Sequence, residues 1–181
     1  MPGRANGGAE RGGERGGGHD PTPPPDAFPA TPIVSTIAVC VVLRGSGAAT
    51  RTLLLHRTGP FLKGAWTYAA GRLEAGESAE AAARRELSEE TGLTPLSFWN
   101  GDTLETFYEL ATPRLQIAPV FVARVHDDAV VRLNYEHDDH RWLDLEQALA
   151  TVSFNQQRRV LTEVWDSFVR RTPADYLKLD P

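Results

Sequence analysis

The sequence predicts an α/β fold: a mixed β-sheet covered by helices on both faces. Three observations predict it. Runs of β-branched and apolar residues recur at strand length, as in "IVSTIAVCVVL", "TLLLHR" and "LQIAPVFVARV". Two segments carry helix signals, an alanine- and glutamate-rich stretch from residue 79 and the amphipathic "FNQQRRVLTEVWDSFVRR". Strands and helices mix without regular strand–helix–strand alternation, which argues against a purely parallel sheet.

The first 31 residues stand apart. Half of the chain's 16 glycines fall in the first 18 positions and a proline cluster follows. Such a segment has too few large apolar side chains to repay its ordering entropy, so a disordered tail is expected over residues 1–31. It lacks the apolar core of a signal peptide and carries acids that a transit peptide avoids. A folded domain is expected over residues 32–172 and a short C-terminal tail over 173–181.

"IVSTIAVCVVL", residues 33–43, reads as one buried strand; its 11 residues are too few to cross a bilayer. Cys40 lies in this run and is expected to pack in the core. As the chain's single cysteine it allows no internal disulfide, which suits a reducing compartment. The turn "GSGA" leads to "TLLLHR" as the second arm of a hairpin. "WTYAAG" is a short extended piece. "DTLETFYEL" and "LQIAPVFVARV" are two more strands, with Pro119 marking an edge or a bulge because it cannot donate to a ladder. "DHRWLDL" is a short strand and "LEQALA" starts a small helix. The final helix brings Val160, Leu161, Val164, Trp165 and Phe168 near one face. With 24 acidic against 19 basic residues, net −5, the chain is not built to hold a nucleic-acid backbone.

The helix from residue 79 is the most informative element. Ser78 is a suitable N-cap, although Ala81 leaves the capping box incomplete. Residues 79–90 are nearly all good helix formers, and Thr91-Gly92 is a stop signal, so the helix is predicted over 79–91. At about 100° per residue, Ala79, Ala82, Ala83 and Leu87 share a face. Glu86 and Glu90 fall in the middle of that face and Glu89 at its edge. A solvated acidic stripe is one reading. The other is a set of oxygen ligands gathered around a hard divalent cation, which would relieve both the like-charge repulsion and the cost of half-burying carboxylates.

The longer stretch "GRLEAGESAEAAARRELSEETGL" has Gly71, five residues, Glu77, seven residues, Arg85-Glu86-Leu87, one residue, Glu89-Glu90, one residue and Gly92-Leu93. It resembles the Nudix hydrolase box at every specified position. The resemblance implies an α/β/α sandwich and Mg²⁺- or Mn²⁺-dependent hydrolysis of a diphosphate linked to another moiety. It implies a metal site of Gly71, Glu86, Glu89 and Glu90, with Arg85 orienting a box glutamate and Glu77 steadying the loop–helix junction. One box glutamate, Glu89, or a distant one such as Glu136 would act as base. Many family members have Pro-Gly before the box glycine; here it is Ala69-Ala70.

Weaker likeness extends over roughly residues 34–170. Glu136-His137, Trp142, Asn155 and Gln156 resemble the branch that hydrolyses dihydroneopterin triphosphate or dATP to a monophosphate and pyrophosphate. Arg57 and Lys63, before the box, would meet phosphates, and Trp66 would stack on a base or pterin. The alternatives are an ADP-ribose or nucleotide-sugar pyrophosphatase, and a non-catalytic nucleotide-sensing domain. The expected partner is a small-molecule phosphoanhydride, with homodimer assembly one option. Neither nucleic acid nor membrane is expected, and the expected compartment is the cytoplasm.

Overall fold

The computed structural model describes residues 30–179. The tail expected over residues 1–31 lies, up to residue 29, outside the described residues. In chain order the elements are β1 (Ile33–Val34), β2 (Ile37–Arg44), β3 (Arg51–Arg57), β4 (Trp66–Thr67), β5 (Ala69–Arg72) and α1 (Ala79–Thr91). They continue with β6 (Ser97–Glu109), β7 (Arg114–Arg124), β8 (His137–Leu143), α2 (Leu145–Thr151), α3 (Asn155–Phe168) and β9 (Lys178–Leu179).

One mixed sheet joins the described strands. β2 runs parallel to β7, and β6 lies antiparallel on the far side of β7. On the other flank β3 pairs with β2 at Leu43↔Thr52 and Arg44↔Arg51, and β8 lies antiparallel along β3. β2 and β3 then diverge. The β4–β5 segment enters the gap, β4 pairing with the end of β3 and β5 with the start of β2.

Alternation along β2 feeds two cores. Val39, Val41 and Leu43 face α2 and α3, meeting Ala148, Val160, Leu161, Val164 and Phe168. Ala38, Cys40 and Val42 face α1, meeting Ala82, Ala83 and Leu87. The result is the expected α/β/α sandwich. Cys40 is fully buried, and burial raises its thiol pKa far above the ordinary value. None of the described helices is long and apolar enough to cross a membrane.

Several local expectations are refined or changed. The strand expected over 33–43 is broken: the chain advances six residues from Ile33 to Val39 while β7 advances five from Leu115 to Val120. The extra residue is a bulge, and the buried Gln116 amide fills it. With its oxygen turned to the backbone, Gln116 accepts from Thr36 N at 2.9 Å and Ile37 N at 3.3 Å. Pro119 lies on an interior strand at a break in register, the bulge of the two settings expected for it. It falls where β1 has ended and β2 pairing has not begun, opposite a register shift between Asn100 and Leu104 of β6. The strand expected through Leu145 stops at Leu143, because Asp144 caps α2 in a capping box with Gln147. β6 starts at Ser97, earlier than expected, and β9, in the stretch expected as a C-terminal tail, pairs with it at Phe98 and Trp99.

Candidate active site

α1 forms over the predicted span. Ser78 Oγ accepts from Ala81 N at 3.1 Å, and Gly92 closes the helix in the left-handed conformation at φ 67°. The packed face takes Ala82, Ala83, Leu87 and Glu90, so Glu90 enters the core at 2% exposure. Its carboxylate accepts from Ala70 N at 3.2 Å and lies 3.8 Å from the Arg57 guanidinium. Burial first, and then the charge of Glu86, push its pKa to about 8.

Glu86 lies one turn earlier and is half-buried, and burial raises its pKa too. It rests directly on Gly71: a Cβ there would come within 1.8 Å of the Glu86 carboxyl. Only glycine permits this approach, which joins β5 to α1. Glu89 is 57% exposed, at the rim.

Arg85 ties the box together. It donates to Glu77 from Nε and Nη2, each at 3.0 Å, to Glu86 at 2.8 Å and to Glu89 at 3.1 Å. Nη2 also donates to the Arg72 carbonyl at 2.9 Å. The guanidinium holds the Glu77 carboxyl below its usual range. Glu77 in turn accepts from Glu74 N at 2.9 Å, closing the turn between β5 and α1.

Arg57, at the end of β3, bridges two regions. It contacts Glu90 and donates to Glu136 at 2.9 Å. Next to Glu136, His137 is buried, and desolvation with the Arg57 charge lowers its pKa to about 4, so the ring is neutral at pH 7.

A cleft of about 950 Å³ opens beside these groups. Arg57, Gly71, Glu86 and Glu136 line one end, and Tyr68, Glu105, Phe154 and Gln157 line it farther along. Glu89, Glu90, Lys63 and Trp66 are not among its lining residues. The Trp66 ring instead packs against His56 at 5.0 Å, with the Arg141 guanidinium 4.3 Å over it. Trp142 is likewise covered by Arg44. The described aromatic residues on the cleft, besides Tyr68, are Phe61, Phe107, Tyr108 and Phe154.

Sequence reading missed Glu105, Glu109 and Gln157, all buried and on the cleft. Gln157 could have been found, since it precedes Val160 and Leu161 by three and four residues and so shares the apolar stripe. Glu105 could not, because β6 carries apolar side chains on both faces.

The donor chemistry suits a hard divalent cation. Glu86, Glu90 and the Gly71 backbone meet in a cradle that a Cβ would fill, and the carboxyls' raised pKa values show the field a cation would relieve. The acids are drawn apart, Glu86 and Glu89 to Arg85 and Glu90 to Arg57 and Ala70. Accordingly, no three acidic, histidine or cysteine side chains among the described residues converge as a ready ligand set.

The family model for the NUDIX domain matches residues 34–164. A Myxococcus xanthus protein named octanoyltransferase is 40% identical over 133 residues, 73% of this chain but 37% of that protein. This chain thus spans little more than a third of that relative's length. A mouse asymmetrical bis(5′-nucleosyl)-tetraphosphatase is 34% identical over 112 residues, 60% of this chain and 75% of that protein. A Caenorhabditis elegans Ap4A hydrolase, solved as a binary complex, superposes with a TM-score of 0.64 at 26% identity, covering 75% of this chain and 97% of that one. With the box intact on α1, the sandwich around it and the family model matched across both cores, the chain belongs to the NUDIX domain family.

Proposed function

We propose that this chain is a divalent-cation-dependent hydrolase of nucleotide phosphoanhydrides. The observation that carries the reading is the pair Glu86 and Glu90, one turn apart on α1 and pressed against β5, with Glu86 at the end of a nucleotide-sized cleft. Glu86, Glu90 and the Gly71 carbonyl would hold the cation, with Glu89 completing the set from the rim. Bound there, a divalent cation supplies neutralisation of phosphate charge and a more acidic water.

The chain's own residues do the rest. Arg85 holds Glu86 and Glu89 on one side of α1 and fixes the Arg72 carbonyl, so the strand end and helix keep one geometry. Glu136 lines the cleft with Glu86 and would take the proton of the attacking water, whereas Glu89 does not face the cleft. Arg57 holds Glu136 in place at 2.9 Å and, on the cleft wall, would meet the phosphate chain.

The substrate class we favour is a nucleoside polyphosphate. The mouse and nematode relatives support a dinucleoside tetraphosphate, and the segment Glu136-His137 with the start of α3 supports a nucleoside or pterin triphosphate. Product analysis by ³¹P NMR with Mg²⁺ tests both. Ap4A cut asymmetrically gives ATP and AMP; dATP or dihydroneopterin triphosphate gives a monophosphate and pyrophosphate. Orthophosphate as the first product would overturn the triphosphate reading. Rapid ADP-ribose cleavage with inert polyphosphates would move the chain to the pyrophosphatase alternative. No turnover of any phosphoanhydride would leave the sensing alternative in place of an enzyme.

A further inference from the structure

The cleft has a second polar region that hydrolysis does not use. Thr67, Tyr68, Glu105 and Gln157 line it, and each is at least nine-tenths buried, from 1% exposed at Tyr68 to 7% at Glu105. They come from three separate segments, β4–β5, β6 and α3. Tyr68 Oη donates to Glu105 Oε2 at 2.8 Å. Two atoms of the group have no hydrogen-bond partner among the described residues, Gln157 Oε1 and Thr67 Oγ1. Unpartnered buried polar atoms cost stability, and folded proteins keep few of them without a use. Here two occur on one cleft, beside a buried carboxyl that an apolar residue could have replaced. Phe107, Tyr108 and Phe154 provide flat apolar surface on the same cleft.

We propose that Glu105, braced by Tyr68, and Gln157, with Thr67 on the same cleft, form a specificity pocket that reads the amide or amidine edge of the substrate's heteroaromatic base. The proposal rests on the hydrolase reading above and deepens it. Gln157 offers an acceptor beside a donor in one plane. Glu105, whose Oε2 accepts from Tyr68 and whose pKa burial raises, offers the same pair when it holds a proton. An in-plane donor–acceptor pair is what the edge of a purine or a pterin presents. A sugar lacks that pair and a bare phosphate chain has acceptors alone. A site built to pair with such an edge rejects heads that leave its buried groups unpaired.

The test uses the full chain with Mg²⁺ and triphosphates that share one phosphate chain but carry adenosine, guanosine, uridine, dihydroneopterin or base-free ribose. Gln157→Leu and Glu105→Met should lower kcat/KM for the preferred head at least tenfold, mainly through KM. Base-free ribose triphosphate should stay within twofold. Glu105→Gln restores a donor–acceptor pair and should recover most of the preference; which head is preferred separates nucleobase from pterin. An unchanged spread across heads in both Gln157→Leu and Glu105→Met overturns the proposal. Calorimetric binding of the corresponding monophosphates, without metal, is independent of turnover. If no triphosphate is hydrolysed, the triphosphate reading fails, and this arm decides the pocket alone. Head-selective binding lost in Gln157→Leu upholds it, and equal or absent binding in the wild type refutes it.

Discussion

The two ends of the cleft are built on opposite rules. At the α1 end, five acids and two arginines from a few neighbouring segments satisfy one another: Arg85 alone reaches Glu77, Glu86 and Glu89, and Arg57 joins Glu90 to Glu136. At the Glu105 end the polar groups come from distant segments, and two of their atoms are unpaired. The first end is charged, with five acids to two arginines; in the hydrolase reading it exchanges arginine contacts for a cation. The second gathers Thr67, Tyr68, Glu105 and Gln157 with two unpaired atoms, and in the proposed pocket it takes a partner with a fixed edge. Variants that move one end and not the other test that division.

The sharpest is Glu90→Gln, which removes one charge at nearly constant volume. Activity should fall about a thousandfold, the order of effect found when a group stabilising transition-state charge is lost, whereas head preference on the residual activity should persist. Full steady-state activity at limiting Mg²⁺ would break the metal assignment. Arg85→Lys comes next. A lysine keeps the charge but cannot span Glu77, Glu86, Glu89 and the Arg72 carbonyl together. The expected loss is about 10–100-fold, with more Mg²⁺ needed for half-maximal rate. A rate within twofold of the wild type would show that Arg85 positions nothing that matters.

A stability effect of the opposite sign should accompany the first variant. Glu90 has a pKa of about 8 when folded, against an ordinary 4.5. Between those values the folded chain binds more protons at this site than the unfolded chain does, so this residue makes stability fall as pH rises. In chelator, Glu90→Gln should nearly match the wild type at pH 4.5 and exceed it by about 4 kcal/mol at pH 8. Urea melts across that window are the check, and parallel profiles would contradict it. The smallest effect is expected at Trp66→Phe. Because Trp66 packs between His56 and Arg141 and not on the cleft, kcat/KM should change by less than about twofold. A large rise in KM would bring Trp66 back to the substrate.

These contrasts also explain what the sequence made legible. The box part of the α1 end was readable because Gly71, Glu77 and Arg85 to Glu90 lie within 23 consecutive residues and helix periodicity converts spacing into direction; Arg57 and Glu136 join it from other segments. Ser78, Gly92 and the inward turn of Glu90 follow from that alone. The two cores were readable from alternation in β2 and the stripe on α3. The rest depends on register. The bulge at Thr36, the place of Pro119 and the burial of Glu105 are set by which strand lies alongside, and no local pattern encodes that. Trp66 shows the same limit: its neighbours His56 and Arg141 are supplied by β3 and β8, far away in sequence.

The wedge of β4–β5 between β2 and β3 has a consequence for how such a chain can change over generations. Both ends of the wedge are anchored, one on β3 and one on β2, so Gly71 and the carboxyl resting on it keep their position. The loop before the wedge hangs from a closed base, with Gly64 N bonded to the Arg57 carbonyl and Arg57 N to the Ala65 carbonyl. Phe61 and Leu62 project from that loop onto the cleft and are exposed. The loop is tied to the site by the Phe61 carbonyl, which accepts from Arg57 Nε at 3.3 Å, so side chains at the exposed tip are freer to vary than the backbone at that bond. Substitutions at the Phe61–Leu62 tip and substitutions in the box are thereby separable changes, made in two stretches of chain joined through the β3–β4 pair.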